Sequence, residues 1–283
     1  MTQQPPLHGY RIVDLTSVVL GPYATQILGD LGAEIIKVEP PQGDIMRLSG
    51  LSKSAEFGSV FMTVNRNKRS IALDLKKPEA AEVFKTLLSQ ADAFVHNIRP
   101  QAMERLGFDY GTVKEWQPDL VYASIVGYGS DGPYGGRPGY DDLMQAVTGT
   151  ASLIGKMTGS GEMQFFPTLI SDKTTGLHVV YAVLAALLHR ERTGRGQFVE
   201  IPMFEATVSF MMTEHLAGEV WVPPTGSTGY RRILHRFNRP FKTADGYLGI
   251  LPYTDREWVV LFTLGKRPEL TTDPRIADMQ TRR

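Results

Sequence analysis

The chain has 283 residues, 42% of them hydrophobic and 21% charged, a composition that excludes disorder and fibre formation and fits one or two globular domains. Thirty basic side chains balance thirty acidic ones, so no global charge draws the chain onto nucleic acid or an anionic membrane, and any anion site must be local. Without cysteine there is no disulfide, thiolate nucleophile, iron–sulfur cluster or Cys-ligated zinc. The N-terminus lacks a signal-peptide pattern, and the longest apolar run, Val179 to Leu188, is too short to span a bilayer. The expected location is the cytoplasm, with the mitochondrial matrix as the alternative.

Strand-length apolar runs alternate with segments of helical period through the first two hundred residues, the pattern of βα units around a parallel sheet. Arg11 to Thr16 reads as the first strand, Tyr23 to Leu31 as a helix closed by Gly32, and Glu34 to Glu39 as a strand stopped by Pro40-Pro41. Ser70 to Leu75 makes the next strand, Pro78 opens a helix reaching about Gln90, and Ala93 to Ile98 and Val121 to Val126 are further strands. The segment Gly127 to Pro138 holds five glycines and two prolines and reads as a loop at a strand's carboxyl end, where ligands bind in such sheets. Asp141 to Val147 is helical, and a long helix runs from Lys173 to Arg192 with an apolar stripe at Leu177, Val180, Tyr181, Leu184, Leu187 and Leu188. Phe198 to Ile201 and Tyr247 to Leu251 complete the strands. The expected class is α/β: an open parallel sheet flanked by helices, a Rossmann-like large domain over 1–205, a linker over 206–224, and a smaller, incomplete domain over 225–283. The run after Pro274 resembles an interrupted helix, so the chain reads as C-terminally short.

Each candidate motif carries a plain reading beside its chemical one. The first turn, Thr16 to Pro22, is not a G-x-G-x-x-G loop, and no Walker A sequence occurs, which removes most of the case for NAD or ATP. Its Gly21-Pro22 is ordinary helix punctuation, or a place where a ligand approaches the backbone beside a helix N-terminus. The cations Arg66, Lys68 and Arg69 form either a solvated turn or a phosphate grip. Arg99 and Arg105 follow a strand's carboxyl end, and either caps a helix or meets a ligand. Asp172, or Ser171 before it, caps the long helix, or else Asp172 is a carboxylate nucleophile, with Asp141 and Asp142 as competitors. The six histidines lack metal-ligand spacing and no G-x-S-x-G elbow occurs, so neither a metal site nor a serine hydrolase is supported. Arg231, Arg232, His235, Arg236 and Arg239 make a solvated face or an anion contact.

Five stretches taken in order carry a family likeness: LHGYRIVDLTSVVLGPYATQILGDLGAEIIKVEPPQGD, NRNKRSIALDLK, VHNIRPQAMERLGFDY, ASIVGYGSDGPY and SDKTTGLHVVYAVLAALLHRERTGRGQFVEIPMFEA. Together they resemble the class III CoA-transferase family, which includes formyl-CoA transferase, carnitine CoA-transferase and α-methylacyl-CoA racemase. The resemblance implies CoA transfer between an acyl-CoA and a small carboxylic acid through an aspartyl mixed anhydride, with Asp172 as nucleophile in the match Asp172 to Gly176. CoA thiolate is released and later returned through an aspartyl-CoA thioester, and backbone amides near the glycine loop hold the oxyanion. It further implies CoA as substrate with no permanently bound cofactor and no metal, and CoA contacts at Val19, Leu20, Leu73, Asp74, Leu75, Lys76, Asn97, Ile98, Arg99, Arg105 and Tyr140. Full-length members interlock as homodimers through a C-terminal return segment that this sequence lacks. Tyr140 stands where the racemase branch has a catalytic histidine and is a poor base near neutrality, which favours transfer over racemisation. Gln101 replaces a common glycine, Val19 a polar residue of the formyl-CoA branch, and no GGGGQ-like stretch occurs around Gly226 to Gly229. The alternatives are a 2-methylacyl-CoA racemase and a non-catalytic chain that binds CoA or a partner.

Overall fold

The computed structural model describes residues 4–54, 56–276 and 281. The chain divides into two compact units, the first formed by residues 1–151 and 165–213 and the second by 152–164 and 214–283. The segment 152–164, placed in the large domain by the sequence pattern, groups with the second unit.

In the first unit, β1 (Arg11–Leu15), α1 (Leu20–Asp30), β2 (Glu34–Glu39), α2 (Ser59–Val64), β3 (Lys68–Ala72), α3 (Pro78–Ser89) and β4 (Ala93–His96) follow one another. Then come α4 (Pro100–Leu106), α5 (Tyr110–Trp116), β5 (Val121–Val126), α6 (Asp141–Val147), α7 (Thr150–Thr158, most of it in the second unit), α8 (Ile170–Thr193), β6 (Gln197–Pro202) and α9 (Met203–His215, whose last two residues belong to the second unit). The strands form one sheet in the order β3-β2-β1-β4-β5-β6, and all five neighbouring pairs are parallel. Such a sheet is covered on both faces, and the strand residues alternate accordingly. Ile12, Val95, Val121, Ala123 and Ile125 pack with Ala24 and Leu28 of α1 and Val179, Val183 and Leu187 of α8. Val13, Leu15, Phe94 and Tyr122 point the other way, onto Phe84 and Leu88 of α3, Met103 of α4 and Val113 of α5. Full burial of each such side chain contributes about 1.5–3 kcal/mol. The α/β class and the parallel sheet expected from the sequence are therefore observed.

Boundaries differ where tertiary contacts decide them. The third strand is Lys68–Ala72 rather than Ser70 to Leu75, because its ladder ends where Ala72 pairs with the last residue of β2, Glu39. Leu73, Asp74, Leu75 and Lys76 then turn away, with Lys77 donating its N–H to the Asp74 carbonyl at 2.8 Å. Helix α1 starts at Leu20, three residues earlier than expected, since Pro22 lies within the first turn and costs no interior hydrogen bond. Helix α8 likewise begins at Ile170. The expected stripe holds in part: Leu187 is buried and Val180 and Leu184 pack against the core, but Leu177, Tyr181 and Leu188 are exposed, and Ser171, Thr175, Gly176, Val179, Val183 and Ala186 face inward instead. Close packing against α1 selects small residues. A Cβ added at Gly176 would lie 2.9 Å from the Tyr23 ring and 3.0 Å from the Leu20 carbonyl.

The second unit contains α10 (Arg231–Leu234), the antiparallel pair β7 (Phe241–Lys242) and β8 (Tyr247–Leu248), and α11 (Asp255–Leu264). Thr254 and Glu257 close a capping box at the start of α11. The strand expected over Tyr247 to Leu251 is the two residues of β8. The helical run expected after Pro274 begins as a 3-10 turn over Pro274–Ile276 and then lies outside the described residues, apart from Thr281. Among the described residues, no helix is long and apolar enough to cross a membrane.

Candidate active site

Strand order reverses between β1 and β4, and open parallel sheets bind ligands in the crevice outside the carboxyl ends of the strands at such a point. The turn after β1 is held there by side chains. The Asn97 carboxamide, just past β4, accepts the Ser17 N–H at 3.0 Å and donates to the Ser17 carbonyl at 3.0 Å. Asp44 accepts the Val18 N–H at 3.3 Å, and Val18 has φ 71°, a left-handed conformation costly for a β-branched residue. Beneath the turn, Lys37 donates to the Thr16 carbonyl at 2.7 Å and pairs with Asp44, while Lys68 pairs with Asp14 at 3.0 Å; all four groups are buried. A strained turn at the sheet's switch point is thus fixed by a charged network.

Helix α8 brings Asp172 to the same edge. Its C-terminus, capped by Gly194 at φ 68°, leads directly into β6, which is parallel to β5. Its N-terminus therefore lies about 36 Å away along the helix axis, at the carboxyl edge. Gly176 touches the first turns of α1, and Asp172, one helical turn earlier, shares that face and points toward the start of α1. Asp172 is 8% exposed. Burial, reinforced by the charges of Asp141 and Asp142, pushes its carboxyl up to about 7.

The capping expectation is corrected. Leu169 occupies the N-cap position, and no side chain caps the helix from there. Ser171 is fully buried, with its hydroxyl unmatched by a hydrogen bond. The Asp172 N–H is met instead by Asp141 from the start of α6, whose Oδ1 accepts it at 2.9 Å. Oδ2 of Asp141 accepts from Gln145 at 2.7 Å, and the Gln145 carbonyl oxygen accepts the Phe166 N–H at 2.8 Å. Sequence spacing gave no sign of this connection, because the partners lie 31 and 21 residues apart.

The remaining candidates separate by exposure and partners. Val19 and Leu20 are buried at the start of α1, so only their backbone remains for a ligand. Ile98 is half-buried against the second core face. Lys76, Arg99 and Arg105 are exposed and make no ion pair among the described residues, which leaves them available to phosphates. Asp74 turns its carboxylate onto the Lys76 N–H at 3.3 Å. Tyr140, 61% exposed, is the N-cap residue of α6. In the cluster at the start of β3, Arg66 and Arg69 are exposed and pair with Asp30 and Glu34, as a solvated turn would, whereas Lys68 is buried and pairs with Asp14. Gly21 is packing rather than ligand approach, since an added Cβ would meet the Thr16 side chain at 2.3 Å. In the Gly127 to Pro138 loop, near which the resemblance implies oxyanion-holding amides, the Gly129 N–H donates to Glu205 at 3.1 Å and the Ser130 N–H to Glu200 at 2.9 Å. A cleft of about 360 Å³ between α1, α2 and α8 is lined by Val19, Tyr23, Ile27, Thr63, Arg66 and Lys173. In the second unit, Arg236 and Arg239 border a cleft of about 570 Å³ and lie over the Phe237 ring.

A family model described as CoA-transferase family III matches residues 7–283. The chain belongs to CoA-transferase family III. The chain is 36% identical over 272 residues to a succinyl-CoA:glutarate CoA-transferase of Mus musculus, covering 95% of this chain and 61% of the relative. To the β subunit of a succinyl-CoA–L-malate CoA-transferase of Chloroflexus aurantiacus it is 35% identical, covering 98% and 69%. The crystal structure of a CAIB/BAIF family protein from Brucella suis superposes with a TM-score of 0.84 at 32% identity, covering 99% of this chain and 75% of that one. The chain thus spans less than two thirds of the first relative's length. As a member of an enzyme family named for CoA transfer, it carries its buried, charge-raised carboxylate at the edge where its fold places ligands.

Proposed function

We propose that the protein moves CoA between an acyl-CoA and a free carboxylic acid, with Asp172 carrying the acyl and CoA groups in turn. The supporting observation is the burial of the Asp172 carboxyl at the α8 N-terminus beside the switch-point turn. An ionised Asp172 attacks the thioester carbonyl; the carbon–sulfur bond breaks, and CoA leaves as thiolate from an acyl-aspartyl anhydride. The thiolate attacks the aspartyl carbonyl, releasing the first acid and leaving an aspartyl-CoA thioester. The acceptor carboxylate attacks that thioester, and the thiolate finally attacks the new acyl carbonyl, restoring the Asp172 carboxylate. Anhydride and thioester are similarly activated, so the sequence needs no ATP. A carboxyl whose pKa is raised to about 7 is more basic, and hence more nucleophilic, than an ordinary aspartate while remaining substantially ionised at neutrality.

CoA is substrate rather than resident cofactor, and exposed Lys76, Arg99 and Arg105 supply cations for its phosphates. The acceptor is a small carboxylic acid and the location the cytoplasm. The interlocked homodimer implied by the family resemblance belongs to the same proposal, with exposed Leu177, Tyr181 and Leu188 of α8 offering apolar surface to a second copy. Mass spectrometry of a quenched reaction with succinyl-CoA tests the reading: the peptide holding Asp172 gains the acyl or CoA mass, and Asp172→Ala abolishes both adduct and transfer. Undiminished transfer by Asp172→Ala refutes it. Deuterium entering the α-carbon of a 2-methylacyl-CoA without transfer supports racemisation instead.

A further inference from the structure

Asp141 is buried, adjoins the proposed nucleophile, and has no part in the steps above. Its two oxygens are both committed, one to the Asp172 N–H at 2.9 Å and the other to the Gln145 amide at 2.7 Å, while Gln145 continues to the Phe166 N–H at 2.8 Å. The Asp141 and Gln145 side chains are buried, 7% and 1% exposed. The chain from Phe166 to Asp172 is therefore tied at both ends to one helix, α6. A carboxylate at this place also has an electrostatic consequence that a neutral acceptor would not have, because it faces a second carboxyl across a poorly solvated space.

We propose that Asp141, backed by Gln145, is a positioning residue of the reaction: it anchors the first turn of α8 and places its own carboxylate charge beside the Asp172 carboxyl. The inference rests on Asp172 being the reacting group, although the anchoring itself does not. Asp141 and Asp142 are the charged groups acting on Asp172 from α6. On α8 itself Lys173 follows and donates to the Thr168 hydroxyl, and α1 carries no charged residue before Asp30. Two carboxylates so placed resist joint ionisation, which raises the proton affinity of the one lacking compensating donors. Asp141 has those donors, whereas among the described residues none donates to the Asp172 carboxylate.

The test separates bond from charge in the full chain. With aspartate side-chain carboxyls labelled with carbon-13, the Asp172 signal is assigned by its loss in Asp172→Asn and titrated. Asp141→Asn keeps an acceptor oxygen and removes the charge, so the Asp172 midpoint falls by about one pH unit, and the acid limb of adduct formation moves with it. Slow hydrogen exchange at the Asp172 amide is retained in this variant. Asp141→Ala loses both features, and exchange at that amide quickens; should this variant fail to fold, Asp141→Asn carries the test alone. A midpoint in Asp141→Asn indistinguishable from that of the parent overturns the proposal. A midpoint that moves while the parent shows no acyl adduct leaves the anchor and its charge effect intact and removes Asp172 as nucleophile.

Discussion

A carboxylic acid with a proton affinity near neutrality is expensive to keep in a folded chain once it ionises. The unfolded Asp172 loses its proton around 3.8 and the folded one at about 7, so the native state binds the additional proton between those values. The stabilisation linked to this group is complete below pH 4 and is lost as pH rises through 7. Asp172→Asn removes the ionisable group, so this variant is more stable than the parent by about 4 kcal/mol at pH 8 and loses most of that advantage near pH 4. Thermal or urea unfolding at the two pH values measures it; equal stability at pH 8 contradicts the raised proton affinity. The functional counterpart has the same sign, because only the ionised carboxylate attacks: adduct formation falls about tenfold per pH unit once pH is well below 7. Little of this was legible in the sequence. The Ser171-Asp172 pair preceding a helix reads naturally as a cap, and only the tertiary approach of Asp141 from α6 shows that the Asp172 N–H is met from elsewhere.

At the scale of the element, α8 positions the site through what it lacks. Leu177, Tyr181 and Leu188 satisfy an amphipathic stripe, yet apart from Leu187 the inward face is Thr175, Gly176, Val179, Val183 and Ala186, because close approach to α1 favours smaller side chains over Leu177 and Tyr181. Gly176→Val places a branched side chain where even a Cβ comes within 3.0 Å of the Leu20 carbonyl. This overpacking costs about 2 kcal/mol and displaces the turn holding Asp172. A lower unfolding midpoint with slower adduct formation is expected; unchanged values of both contradict the role assigned to the seam. The strands, by contrast, were readable almost to the residue where hydrophobic runs are bounded by Pro or Gly, as in β2 and β5. They were misread at β3, where the neighbouring strand rather than the local sequence ends the ladder. Short α2, α4, α5 and α7 were missed because their apolar periodicity is only one or two turns long.

Across the whole molecule the two units differ in how they bury apolar surface. In the second unit Leu153 is the only buried hydrophobic side chain among the described residues, whereas the first unit has a double-faced core. Local opening free energy follows buried apolar contact, so amides between 217 and 276 exchange hydrogen faster than those of β1, β4 and β5. Comparable protection in both regions contradicts this difference. The parallel sheet was legible because βα alternation is a global pattern. The ion pairs that consume Arg66, Lys68 and Arg69, and the carboxylates that engage the glycine-loop amides, were not, since their partners come from distant strands and helices.

The central claim is that the Asp172 carboxylate exchanges an oxygen with each acid that passes through it. When the acceptor acid is labelled with oxygen-18 in both carboxylate positions and the reaction runs in ordinary water, mass spectrometry of the peptide spanning Asp172 reads that exchange. The account predicts that this peptide becomes heavier by oxygen-18 as turnover proceeds and that the label localises to Asp172. A peptide that stays unlabelled while the acid is converted to its CoA thioester contradicts it.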